Sequence, residues 1–169
     1  VAHAISVGAR AFIRRQYKTI AILTLVVAAA LVVAYGLTGT ANEGWKKGLE
    51  VGGSFLLGSL LSGVAGVVSM VVATKANLKT ASASQNGLNA ALTMALRSGT
   101  VSAIVITALS LLGISGLYLF YRFALDVPAA VIPALIVGYG FGASFVALFA
   151  QLGGVIYTKA ADVGADLVG

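Results

Sequence analysis

The chain has 169 residues, 59% of them hydrophobic and only 9% charged, with a net charge of +6. Soluble domains are nearer one quarter charged, so this composition excludes a water-soluble globular protein and requires lipid as solvent. Cysteine is absent, which excludes disulfides and thiolate metal sites.

The apolar segments run over 20–37, 51–74, 99–121 and 131–156. Each is near the ~20 residues that cross a bilayer, and continuous runs of this length are helices rather than barrel strands. The expected fold is all-α: a polytopic transmembrane bundle of four long helices, one region over 1–169 with no separate soluble domain. Ahead of the first segment stand Arg10, Arg14, Arg15 and Lys18, which either set topology or touch phospholipid headgroups. His3 is the sole histidine and makes no metal site alone. In the second segment Gly58, Ser62 and Gly66 recur every four residues; in the fourth, Gly138 and Gly142 do so, as do Gly140 and Ser144. In lipid no hydrophobic force brings helices together, so such small-residue seams read as surfaces of close backbone packing. So many seams imply a larger bundle or an oligomer, and the chain reads as a piece of a longer protein. Between the second and third segments, 75–98 carries Leu88, Leu92 and Leu96 among polar residues. It reads as continuations of both helices, joined near Asn86–Gly87. Pro128 and Pro133 mark the start of the fourth span, where proline is tolerated.

The connections alternate sides. One side holds Arg10, Arg14, Arg15, Lys18, Lys75, Lys79, Arg97 and Lys159; the other holds Lys46, Lys47 and Arg122, offset by Glu43, Glu50 and Asp126. The positive-inside rule then puts the N-terminus, the 75–98 connection and the C-terminal end in the cytoplasm. Tyr35, Trp45, Tyr118, Phe120 and Tyr121 gather near the opposite boundary, as interfacial aromatics do. A basic balance distributed this way reflects membrane topology and not nucleic-acid binding.

Nothing but scattered glycine interrupts 131–168. At 1.5 Å per residue this helix is ~57 Å long against a hydrocarbon core of ~30 Å, so roughly four to five turns leave the membrane. Lys159, Asp162 and Asp166, at i, i+3 and i+7, share one face of that extension. Two readings fit them. One is a snorkelling lysine paired with Asp162 on a solvated helix end. The other is a phosphate site: a lysine as point charge beside two hard carboxylates that suit Mg²⁺ shared with phosphate oxygens. There is no Gly-rich nucleotide loop. Gln151 lies eight residues before Lys159 on a similar face, within the membrane, where polar groups are costly and point to an ion pathway. Ser144, seven residues earlier, either joins that pathway or hydrogen-bonds a neighbouring helix.

The segment Y-T-K-A-A-D-V-G-A-D-L-V-G at 157–169 resembles the signature of membrane-bound inorganic pyrophosphatases of the ion-pumping kind. In order, G-A-R-A-F-I-R-R-Q-Y-K-T-I at 8–20, G-S-L-L-S-G-V-A-G at 58–66 and A-T-K-A-N-L-K-T-A at 73–81 resemble further parts of that family. The resemblance covers essentially the whole chain and implies spans two to five of a protein that usually has sixteen. It implies a homodimer that hydrolyses pyrophosphate with Mg²⁺ and drives H⁺, Na⁺ or both across a cell membrane or the membrane of an acidic organelle. Activation by K⁺ stays open. By the same resemblance Lys159 contacts pyrophosphate, Asp162 and Asp166 hold Mg²⁺, and the carboxylates that activate water lie outside this chain, leaving it inactive alone. Three positions depart from the family pattern: Gln151 stands where many members have an arginine, Val155 replaces the third glycine of a G-G-G, and Lys79 replaces an arginine, losing its bidentate fork. The competing reading is a non-enzymatic four-helix channel, carrier or scaffold subunit whose acidic helix end binds a cation.

Overall fold

A computed structural model of the chain describes residues 2–38 and 43–167. Four helices follow in order: α1 (Ala2–Thr38), α2 (Glu43–Ser84), α3 (Leu88–Leu119) and α4 (Ile132–Asp166). All four are long and apolar enough to cross a membrane. With the described residues almost wholly helical, this is an integral multi-pass architecture, since intrahelical bonding satisfies the backbone without water.

The helices exceed the apolar segments within them. α2 begins at Glu43, so most of the expected 38–50 connection is helical. A carboxylate in the first turn favours that start. α2 and α3 do continue past the membrane and meet in a short turn around Asn86, closed by hydrogen bonds from Asn86 N to Ala83 O and Gly87 N to Ser84 O. Gly87 has φ 111°, a conformation glycine adopts without strain. Leu88, Leu92 and Leu96 stay exposed. Pro133 sits in the first turn of α4, where its missing N–H costs nothing.

α2 is the hub: it packs against α1, α3 and α4. Its seam with α4 runs parallel and is made of bare backbone. Gly58 lies against the carbonyl of Tyr139, Gly138 against that of Val51, and Gly142 against that of Phe55. Ser62 Oγ donates to Ala143 O across the same seam at 3.0 Å. α1 lies antiparallel to α2, with Gly48 and Gly52 against Val32 and with the Trp45 ring over Gly36. The small-residue spacing therefore does act as helix packing, except at Gly140 and Ser144. Gly140 has nothing within 4 Å of a Cβ position, and Ser144 is exposed.

The buried core of Val51, Leu117, Tyr121, Ile132, Leu135 and Tyr139 lies toward the α3–α4 connection. Here one sequence expectation needs correction. Tyr121 is not an interfacial aromatic: it is 4% exposed. After Leu119 the backbone widens into a π-type turn over Phe120–Ala124, which swings Tyr121 inward. Its hydroxyl donates to Glu50 O at 3.0 Å and lies 3.0 Å from Ser54 Oγ. Tyr121→Phe is expected to cost about 0.6 kcal/mol, a typical interhelical bond in lipid. The check is a slightly lower melting temperature in detergent.

Candidate functional site

α4 has two opposed faces. One buries Leu135, Gly138, Gly142, Val146 and Gly153 against the other helices. The opposite face carries Ser144, Gln151, Lys159, Asp162 and Asp166, all exposed. Ser144 and Asp162 are 18 residues apart, five full turns at 3.6 residues each, so they share one line along the helix. The residues singled out from sequence thus fall on one stripe pointing away from α1, α2 and α3. α4 reaches Asp166 as a helix; the last residues of the motif, Val168 and Gly169, lie outside the described residues.

Within the extension, Lys159 Nζ and Asp162 Oδ2 are 3.7 Å apart, and both side chains are largely exposed. An exposed pair at that distance is weak and yields easily to a better partner for either charge. Asp166 stands one turn beyond Asp162, on the same side. Among the described residues no group of three or more His, Asp or Glu side chains is arranged to hold a metal. Two carboxylates a turn apart are not an all-protein cage. They do match the donor set of Mg²⁺, which takes one or two carboxylates and completes its octahedron with water and phosphate oxygens. The adjacent lysine suits the same phosphate. The remaining surface of such a site would come from outside these four helices, because none of them covers the stripe.

The sequence reading missed what braces the extension. Gln16 Nε2 donates to Phe149 O at 2.8 Å, and the Gln16 amide lies on Gly153. One turn earlier, the Phe12 ring meets Tyr157 with centroids 5.2 Å apart. α1 thereby props α4 at the turns that lead to Lys159. A signal existed in the glutamine at 16, amphipathic among cations, but its partner is 133 residues away in the chain. Gln16→Leu removes the bond while keeping similar bulk. It is expected to cost about 1 kcal/mol, read as a fall of a few degrees in melting temperature.

The family described as inorganic H⁺ pyrophosphatase matches residues 1–169. The chain is 50% identical over 174 residues to a K⁺-insensitive pyrophosphate-energized proton pump of Caldanaerobacter subterraneus subsp. tengcongensis, covering all of this chain and 24% of that protein. It is 50% identical over 169 residues to K⁺-insensitive pyrophosphate-energized proton pump 2 of Moorella thermoacetica, covering 100% of the chain and 23% of the relative. It is 43% identical over 182 residues to pyrophosphate-energized membrane proton pump 3 of Arabidopsis thaliana, again covering 100% and 23%. The chain therefore spans about a quarter of the length of the curated relatives it matches. No solved structure matches it. With a family match along its entire length, and half its residues shared with two of these relatives, the chain belongs to the inorganic H⁺ pyrophosphatases.

Proposed function

We propose that this chain forms part of a membrane pyrophosphatase in which hydrolysis of pyrophosphate by water drives protons across the bilayer. The observation that carries the reading is the single stripe on α4, which runs from intramembrane Ser144 and Gln151 to Lys159, Asp162 and Asp166 beyond the apolar segment. A pump needs a hydrolytic site connected to a transmembrane path, and one rigid helix here bears candidate groups for both. Lys159 would bind pyrophosphate oxygens as a point charge. Asp162 and Asp166 would hold Mg²⁺, which supplies charge neutralisation on the phosphoryl oxygens. Gln151 and Ser144 would line the ion path as neutral groups that orient a proton-carrying water chain without trapping a charge.

The names of the relatives support H⁺ over Na⁺ as the transported ion, and those of the Caldanaerobacter and Moorella pumps support independence from K⁺. The charge bias supports a cytoplasmic location for the Lys159–Asp166 end. The unpartnered stripe supports assembly with further helices, and a homodimer is the proposed whole.

The test uses inverted vesicles carrying the intact gene product. Pyrophosphate with Mg²⁺ should quench a ΔpH dye, without Na⁺ or K⁺ in the buffer. Hydrolysis without quenching would leave an uncoupled enzyme. Neither would remove the pump and favour the cation-binding channel or scaffold.

A further inference from the structure

Between α1 and α2 lies a groove of about 540 Å³, walled by Ala21 and Leu25 on one side and by Leu56, Leu60 and Val64 on the other, with Tyr17 at one end and Val146 of α4 also lining it. The hydroxyl oxygens of Thr24 and Ser59 are buried in the wall, so the surface offered is apolar. Leu25 and Leu60 are each 62% exposed, as the sides of an unfilled channel should be. Gly63 creates part of the hollow: a Cβ there would meet only the Tyr17 ring, at 3.7 Å.

The groove has a direction and a length. Along α2 it runs from Leu56 to Val68, which is about 18 Å at the helical rise. One leaflet of a ~30 Å hydrocarbon core is about 15 Å deep. The groove is thus about as long as one leaflet is deep, and Tyr17, three residues ahead of the first apolar segment, stands at one end of it. Beyond that end each helix carries a cation on the groove's face: Arg14 about one turn past Tyr17, and Lys75 two turns past Val68. On α1, Arg14 precedes Tyr17, Ala21 and Leu25 at spacings of three, four and four. On α2, Lys75 follows Val64, Val68 and Val71 at spacings of four, three and four. Such spacings keep residues on one helical face. Arg14 and Lys75 are exposed, and neither has an ion-pair partner among the described residues. The described carboxylates lie elsewhere: Glu43, Glu50 and Asp126 at the far ends of the helices, Asp162 and Asp166 on the outward face of α4.

From this juxtaposition we infer that the α1–α2 groove is a binding site for an anionic phospholipid, with an acyl chain between Leu25 and Leu60 and its phosphate held by Arg14 and Lys75. A zwitterionic lipid would gain the groove but much less from two uncompensated cations. A basic pocket at the membrane boundary between two helices is the chemistry that selects an anionic headgroup.

The experiment is native mass spectrometry of the intact gene product in mild detergent, titrated with phosphatidylglycerol and with phosphatidylcholine. The wild type should retain phosphatidylglycerol roughly 30-fold better, the combined effect of two boundary cations. In Arg14→Gln/Lys75→Gln the two lipids should be retained equally, while six basic residues remain on that side to keep the topology. Gly63→Leu fills the hollow without changing charge and should lower retention of phosphatidylglycerol. Equal retention by the wild type would overturn the inference. So would a preference that survives the double substitution, or one that ignores Gly63→Leu and so reports surface charge alone. Retention of neither lipid would overturn it as well; a photo-crosslinker at Leu60 that then joins to protein would identify a helix as the occupant.

Discussion

Asp162→Asn should lower pyrophosphate hydrolysis by membranes of the intact gene product by roughly 100-fold or more, the scale on which one preorganised electrostatic contact acts in an active site. The substitution keeps the size and hydrogen-bonding capacity of the side chain and removes only its charge. Two accounts of the residue diverge sharply here. If Asp162 merely pairs with Lys159 on the surface, at 3.7 Å and largely exposed, its loss costs at most about 1 kcal/mol of stability and leaves activity within a few-fold. If it holds Mg²⁺ against substrate, kcat/KM collapses. Two companion variants separate binding from metal. Lys159→Gln should raise KM for pyrophosphate, because it removes a contact made in ground state and transition state alike. Asp166→Asn should raise the Mg²⁺ concentration needed for half-maximal rate. Wild-type rates in all three would return the stripe to an ordinary solvated helix end.

Gly142→Ala should destabilise the bundle by about 3 kcal/mol, the upper end of ordinary overpacking. The added methyl would run into the carbonyl of Phe55 and come within 2.8 Å of Ser59 Oγ. Backbone cannot rotate away as a side chain can, so α2 and α4 must separate along the whole seam. A melting temperature lower by on the order of 10 °C in detergent follows. Gly53→Ala is the control: it lies on α2 with nothing within 4 Å of its Cβ position. There the same change adds helix propensity and no clash, so stability should hold or rise slightly. Equal melting of both variants would mean that the α2–α4 contact is looser than described.

Much of this was legible beforehand, and the limits have a physical pattern. Four apolar runs without an alternative to helix made the architecture readable. So did the turn at Asn86–Gly87, where a left-handed residue is needed. Lys159 and Asp162 were found together because they are three residues apart on one helix, a relation that spacing alone determines. Spacing gives a face but not a neighbour. Gly138–Gly142 and Gly140–Ser144 carry the same signal, yet only the first pair faces α2. The second pair looks outward with Gln151. Tyr121 was misread because an aromatic at a span end usually anchors in the headgroups, and the π-type turn that redirects it has no sequence signature of its own. The Gln16–Phe149 brace links distant parts of the chain, and no local pattern announces it. The groups that would complete the site around Asp162 belong to the same long-range class.

The parallel seam between α2 and α4 has a consequence for how the protein is made. Gly58 leaves the ribosome 84 residues before Gly142. At synthesis rates of about 5–20 residues per second, α2 waits roughly 4–17 s for its principal partner. α3, its antiparallel neighbour, arrives first and covers a different side. During that interval the stretch of α2 from Val51 to Ser62 offers lipid a strip of backbone with little side chain to shield it. Any other small-residue helix in the vicinity could dock there. An insertase or chaperone that occupies this strip until α4 emerges would raise the yield of correctly assembled protein, and slowing translation between α3 and α4 would lower it.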